Sequence, residues 1–209
     1  MHRYCQYELS AIQNMQPRTI TILIVLNDLK YAFLSLLRER CRNPALLNIY
    51  SFIDISAALA NDGKSENRDI FETYLKKFCT VPWIACSPYD LWAARCSLVH
   101  AFSPLGRHTA KPDGAKPIFY YSGTDRREEL ERVVREKGYT DFLILDIDHV
   151  KHVAIDAFNA LHKQVAVDGV LELRFLNNAE HFLFDLQDFK LEAELSLVQE
   201  KINMAGGAE

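Results

Sequence analysis

At 209 residues, the chain is long enough for one fair-sized domain, or two small ones, with a real core. Hydrophobic residues make up 49% and charged residues 25%, which is ordinary for a soluble globular protein. The formal net charge of −4 excludes a general electrostatic drive toward nucleic acid or anionic membrane, so any RNA contact has to be local.

Five cysteines, an odd number without paired short spacings, point to free thiols in a reducing compartment. Cys79 and Cys86 are seven residues apart, which fits no zinc-ligand pattern. The N-terminus lacks the charged-then-apolar layout of a signal peptide. The most apolar run, Thr19 to Leu26, is too short to span a bilayer and is followed by Asn27, Asp28 and Lys30. The expected location is the cytoplasm, with no membrane contact.

A modest first helix is expected over residues 2–15, before Pro17. From Arg18 to about Arg40, Ile22, Leu26, Leu29, Phe33, Leu36 and Leu37 keep a helical period. Arg38, Arg40 and Arg42 crowd its C-terminal end, a solvated dipole-compensating cluster or a phosphate-facing patch. Asn43 and Pro44 start a third helix that stops near Asp62-Gly63. It is apolar almost all round and so buried, with Asp54 as the lone charge in its middle. Ser65 or Asn67 caps a fourth helix through about Phe78, whose core face is Ile70, Phe71, Tyr74, Leu75 and Phe78.

The fifth helix, within SPYDLWAARCSLVHAFSP (Ser87 to Pro104), organises the rest. Ser87 is the N-cap, Pro88 suits the first helical position, and Asp90 completes a capping box. Pro104 ends the helix. Leu91, Trp92, Leu98, Val99 and Phe102 form an apolar stripe, with Ala93, Ser97 and His100 on the far side. Arg95 falls in the middle of that stripe. A guanidinium cannot shed its charge, and buried alone it would cost several kcal/mol. An acid beneath it, or an open cleft, is therefore required. Asp54 needs a partner for the same reason, and a buried Asp54–Arg95 pair is expected; the alternative is that Asp54 faces a solvent gap.

Gly106 to Lys116 is polar, glycine- and proline-bearing and aperiodic, a connecting loop and the candidate domain boundary. The expected organisation is a helical bundle over residues 1–105, a linker over 106–116 and a small α/β extension over 117–209. In that extension Pro117 to Ser122 and Asp141 to Ile147 read as strands, and Asp125 to Lys137 as a charged surface helix with i,i+4 pairs. A helix from about Asp148 to Gln164 turns Val153, Phe158 and Leu161 inward. Val170 to Phe175 reads as a third strand, and Ala179 to Asn203 as mostly helical.

Arg95 with His100 is the first candidate for chemistry. Histidine both takes and gives a proton near neutral pH, and arginine clamps a phosphate and offsets its developing charge. Together they suit metal-free RNA cleavage. His100 would assist attack of the 2′-hydroxyl or protonate the leaving oxygen, while Arg95 holds the phosphate. His100 lies about 140° round the helix from Arg95 and roughly 7.5 Å along it, so the two would meet a common ligand at a groove edge or across a subunit interface. One histidine does not readily do both jobs; a symmetric dimer would supply two, the small Ala93/Ser97 face permitting close approach.

The second candidate is DIDHVKH, whose Asp146, Asp148, His149 and His152 would suit a metal at a strand end. The simpler reading, in which Asp148 caps the following helix and both histidines lie on its exposed first turns, is favoured, so no metal or cofactor is expected. His108 lies in the loop, with nothing in the sequence to fix it at the bundle. His2, His162 and His181 read as surface or satisfied core groups. No glycine-rich phosphate loop, nucleophile elbow or HExxH is present.

RCSLVH (Arg95 to His100), in the last helix of an N-terminal helical bundle, resembles the signature of the HEPN superfamily, an arginine followed four to six residues later by histidine. The surrounding YDLWAARCSLVHAFSP is also similar to bacterial HEPN-like proteins in which Arg-Cys-Gly, two hydrophobic residues and a histidine precede Ser/Thr-Pro. The resemblance covers roughly residues 5–105 and implies a mainly α, up-and-down bundle of four or five helices that dimerises. It implies metal-independent endoribonuclease activity carried by Arg95 and His100, as in toxins and phage-defence proteins, and with it an antitoxin or other protein partner. Asp54, Asp90, Cys96 and Ser97 would support that site. Active members often carry Asn, Asp or His directly after the arginine, where this chain has Cys96. Other members are noncatalytic modules that bind RNA, a nucleotide or a protein.

Overall fold

In the computed structural model, residues 15–83, 86–101, 103–109, 114–123 and 126–182 are described, without the side chains of residues 100, 101, 181 and 182. The helix expected over 2–15 and the helix expected beyond Phe182 lie outside the described residues, as do Phe102 and the side chains of His100 and His181.

The described chain is mainly helical. Four helices come first: α1 (Pro17–Arg38), α2 (Arg42–Ala60), α3 (Asn67–Phe78) and α4 (Pro88–Ala101). A βαβ unit follows, β1 (Ile118–Tyr121), α5 (Arg127–Glu136) and β2 (Leu143–Asp146), then α6 (Ile147–Val165) and α7 (Gly169–Phe182). The strands pair in parallel, with Ile118 opposite Leu143 and Tyr121 opposite Asp146.

Helix α2 is the axis of the packing. It touches α1, α3, α4, α6 and α7, and its Leu46, Ile49, Tyr50, Phe52, Ile53 and Leu59 are all at most 2% exposed. That is what an all-round apolar helix must do. Phe52 meets Phe33 of α1 and Phe158 of α6 edge-on, with centroids 5.5 Å and 5.1 Å apart. Val153, Phe158 and Leu161 of α6 face inward, as their spacing predicts. Elements on both sides of the polar 106–116 connection enter one core, with α6 lying against both α2 and α3.

Four sequence expectations change. Val170 to Phe175 is helical, part of α7: Asp168 accepts the backbone N–H groups of Val170 and Leu171, and Leu171, Phe175 and Ala179 form the buried stripe. The alternation that resembles a strand arises because Val170 and Leu173 are exposed, while Glu172 is buried and accepts from Thr19 and the Gln16 N–H. Helix α3 is preceded by Glu66 rather than capped by Ser65 or Asn67, and makes no side-chain cap bond; Asp69 supplies the acid in its first turn. Asp146, not Asp148, caps α6. In α4, Ala93 and Ser97 are buried and Val99 is 42% exposed, so the buried face is rotated from the expected stripe.

Helix α1 is 22 residues long and, by length and composition, the one described helix that qualifies for crossing a membrane. Its apolar window exceeds the Thr19–Leu26 run. Ile22, Leu23, Leu26 and Phe33 lie in the shared core, while 22% of the apolar window is buried against the rest of the chain.

Candidate functional site

The start of α4 is fixed by its capping box. Asp90 N–H donates to Ser87 Oγ (3.1 Å), while Asp90 Oδ2 accepts from the Ser87 N–H (2.9 Å) and hydroxyl (2.6 Å). Asp90 Oδ1 also accepts the Lys116 N–H, tying the helix to the approach of β1. Asp90 therefore holds the helix that carries Arg95 and takes no part in lining the cleft described next.

Arg95 and Asp54 form the expected pair. Arg95 Nε donates to Asp54 Oδ2 at 2.5 Å, joining α4 to α2, with the two side chains 24% and 29% exposed. Burial pushes the Asp54 carboxyl above its ordinary range, and Arg95 only partly opposes this. Burial works to lower the guanidinium, but Asp54 and then Cys96 more than offset it, so Arg95 stays firmly charged. The contact is single-pronged. Nη1 lies 3.8 Å from Cys96 Sγ, a weak contact. Nε is spent on Asp54, and among the described residues the terminal nitrogens make no hydrogen bond beyond the weak one to Cys96.

Arg95 also lines a cleft of about 510 Å³. Helix α4 contributes Trp92, Arg95 and Cys96, the connection contributes Arg107 and His108, and Asn67 stands at the opening turn of α3. None of the described lining residues is acidic, although the chain as a whole carries 28 acids against 24 lysines and arginines.

The connection closes the cleft because glycine lets it approach. A Cβ on Gly106 would lie 2.2 Å from Ser97 Oγ and 3.1 Å from Ser97 Cβ. The Ser97 hydroxyl is turned back onto the Ala93 carbonyl at 3.0 Å. The Gly106–Thr109 turn is tied by three hydrogen bonds, and the His108 carbonyl accepts the Ala115 N–H. This places the His108 ring 4.3 Å from that of Trp92, which also stacks with Tyr89 at 6.0 Å and 16°. The Ala93/Ser97 face is thereby covered by the chain itself and is not a surface for a second copy.

Of the residues singled out from sequence, Arg95, Cys96 and Ser97 line the cleft and Asp54 stands behind it. His100 follows one helical turn and a half later in α4; its side chain lies outside the described residues. Sequence reasoning missed Arg107, Gly106 and Asn67 and left His108 unplaced. The only available signal was Gly106-Arg107-His108, an aperiodic loop tripeptide that begins five residues after α4 ends.

At the second sequence candidate, Asp146 is spent on the Asp148 N–H, and Asp148 pairs with Lys151 at 2.7 Å. No group of metal-ligating side chains occurs among the described residues. His149 is half-buried, not exposed, with a buried Nε2 that lacks a hydrogen-bond partner. Cys41, Cys79, Cys86 and Cys96 are free thiols, and burial pushes Cys79 up to about 11 and Cys86 up to about 12. Compared with known proteins, the chain matches no family model, no curated protein and no solved structure.

Proposed function

We propose that this protein is a HEPN-type, metal-independent endoribonuclease that acts as a cytoplasmic homodimer in stress or phage defence. The observation that carries the proposal is Arg95, braced by Asp54 through one nitrogen in a cleft with no acidic lining among the described residues. A fixed cation with unused donors suits a phosphate whose charge grows during reaction.

In this reading Arg95 binds the scissile phosphate. One His100 takes the 2′-hydroxyl proton as the 2′-oxygen bonds to phosphorus. The His100 of a second copy gives a proton to the 5′-oxygen as its bond to phosphorus breaks, leaving a 2′,3′-cyclic phosphate. With the Ala93/Ser97 face covered, the second copy would meet the exposed Val99 and Leu105 at the C-terminal end of α4. An antitoxin-like protein partner would act by blocking that end.

A second reading is a noncatalytic HEPN-like module that holds RNA, a nucleotide or a protein. It is favoured by Cys96, whose weakly bonding sulfur stands next to Arg95 where a polar group is common in active members. Incubation of purified protein with mixed RNA in chelator separates the two. Cleavage by wild type and none by His100→Ala supports the nuclease; no cleavage by either supports the module.

A further inference from the structure

The cleft extends past Arg95 to groups that the cleavage chemistry does not use. Arg107 is exposed and has no ion-pair partner among the described residues, although a turn tied by three hydrogen bonds holds its backbone in place. Trp92 and His108, whose rings lie 4.3 Å apart, line the same cleft, as does Asn67. The volume, about 510 Å³, falls within the range of small-molecule sites.

We infer that this part of the cleft is a nucleotide subsite, in which Arg107 takes a phosphate, the Trp92–His108 wall packs against a base, and Asn67 meets the base edge. The inference deepens the ribonuclease reading and rests on it for the path of the RNA. Two guanidinium groups suit two phosphates, one at Arg95 and one at Arg107, and aromatic rings beside them suit an unstacked base rather than a bare anion. An extended single strand, not a duplex, offers a base free to enter. The small net negative charge of the chain leaves binding dependent on this one local patch.

Gly106 sets the width of the subsite. A Cβ there would stand 2.2 Å from Ser97 Oγ, so either that hydroxyl or the turn carrying Arg107 and His108 has to shift.

The test is calorimetric titration of the full chain with adenosine 5′-monophosphate, adenosine and inorganic phosphate. The monophosphate should bind more tightly than either fragment, and Arg107→Gln, at an exposed position, should weaken it about tenfold, the effect of one lost charge-assisted contact. Gly106→Ala should weaken it too, and Ser97→Ala in the same chain should restore part of the loss. No binding of the monophosphate to folded wild type would overturn the inference. So would phosphate binding as tightly as the monophosphate, or Arg107→Gln binding like wild type. Equilibrium binding needs no cleavage, so the subsite and the nuclease reading fail separately.

Discussion

Asp54 of α2 and Arg95 of α4 form an ion pair between two largely apolar helices. A lone acid in an all-apolar helix and a lone cation in an apolar stripe have few places to go but to each other. Burial of Asp54 also sets a pH dependence. The carboxyl of Asp54 is raised by burial more than Arg95 lowers it. The folded state therefore holds its proton more tightly than the unfolded chain, and stability falls as pH rises from the ordinary carboxylate range through the raised value. Asp54→Asn should flatten that part of a melting-temperature profile, and parallel profiles would contradict the assignment. Tyr50, fully buried, and Tyr120, partly buried, make a second pair, hydroxyl to hydroxyl at 2.5 Å, between α2 and β1. Burial pushes both phenols up. Tyr120→Phe strips Tyr50 of this partner and should cost about 1–2 kcal/mol in denaturant unfolding, whereas changing both to Phe should cost less than the two single losses added.

The start of α4 was legible because its cap and its acid stand in one short box, whereas at α6 two nearby acids compete and the cap is Asp146, not Asp148. The Ser87–Asp90 box is written in four consecutive residues. Ser87→Ala should cost about 1 kcal/mol, and Asp90→Ala more, because the Lys116 N–H loses its acceptor as well. Equal losses in chemical denaturation would show the tie to β1 to be idle. The end of α1 carries a different signal. Arg40 has φ 60°, and the Cys41 N–H reaches back to the Leu36 carbonyl, a left-handed cap normally given to glycine. Arg40→Gly should raise stability by about 1 kcal/mol. Helix α7 defeated periodicity for a related reason: with Glu172 buried against Thr19, and Val170 and Leu173 exposed, polarity no longer reports which face is inside.

Across the whole molecule, the core could be read from apolar periodicity, but the cleft could not. Its floor lies on a helix and its wall on an aperiodic connection, and only the approach permitted by Gly106 brings Arg107 and His108 to Trp92. The same long-range packing buries part of His149 at the start of α6. Burial, then the neighbouring His152, lowers this imidazole, with Asp146 opposing. Its contribution to stability is full above about pH 6.5 and is lost as pH falls through the lowered value. His149→Gln should therefore lose less melting temperature than wild type between about pH 7 and about pH 5. The central claim is that RNA lies in the cleft between α4 and the connection. Photocrosslinking of a single-stranded RNA carrying 4-thiouridine, with the modified residues mapped by mass spectrometry, tests it most directly. Crosslinks on Trp92, Cys96 or His108 are predicted; crosslinks confined to other faces, or none at saturating RNA, would contradict it.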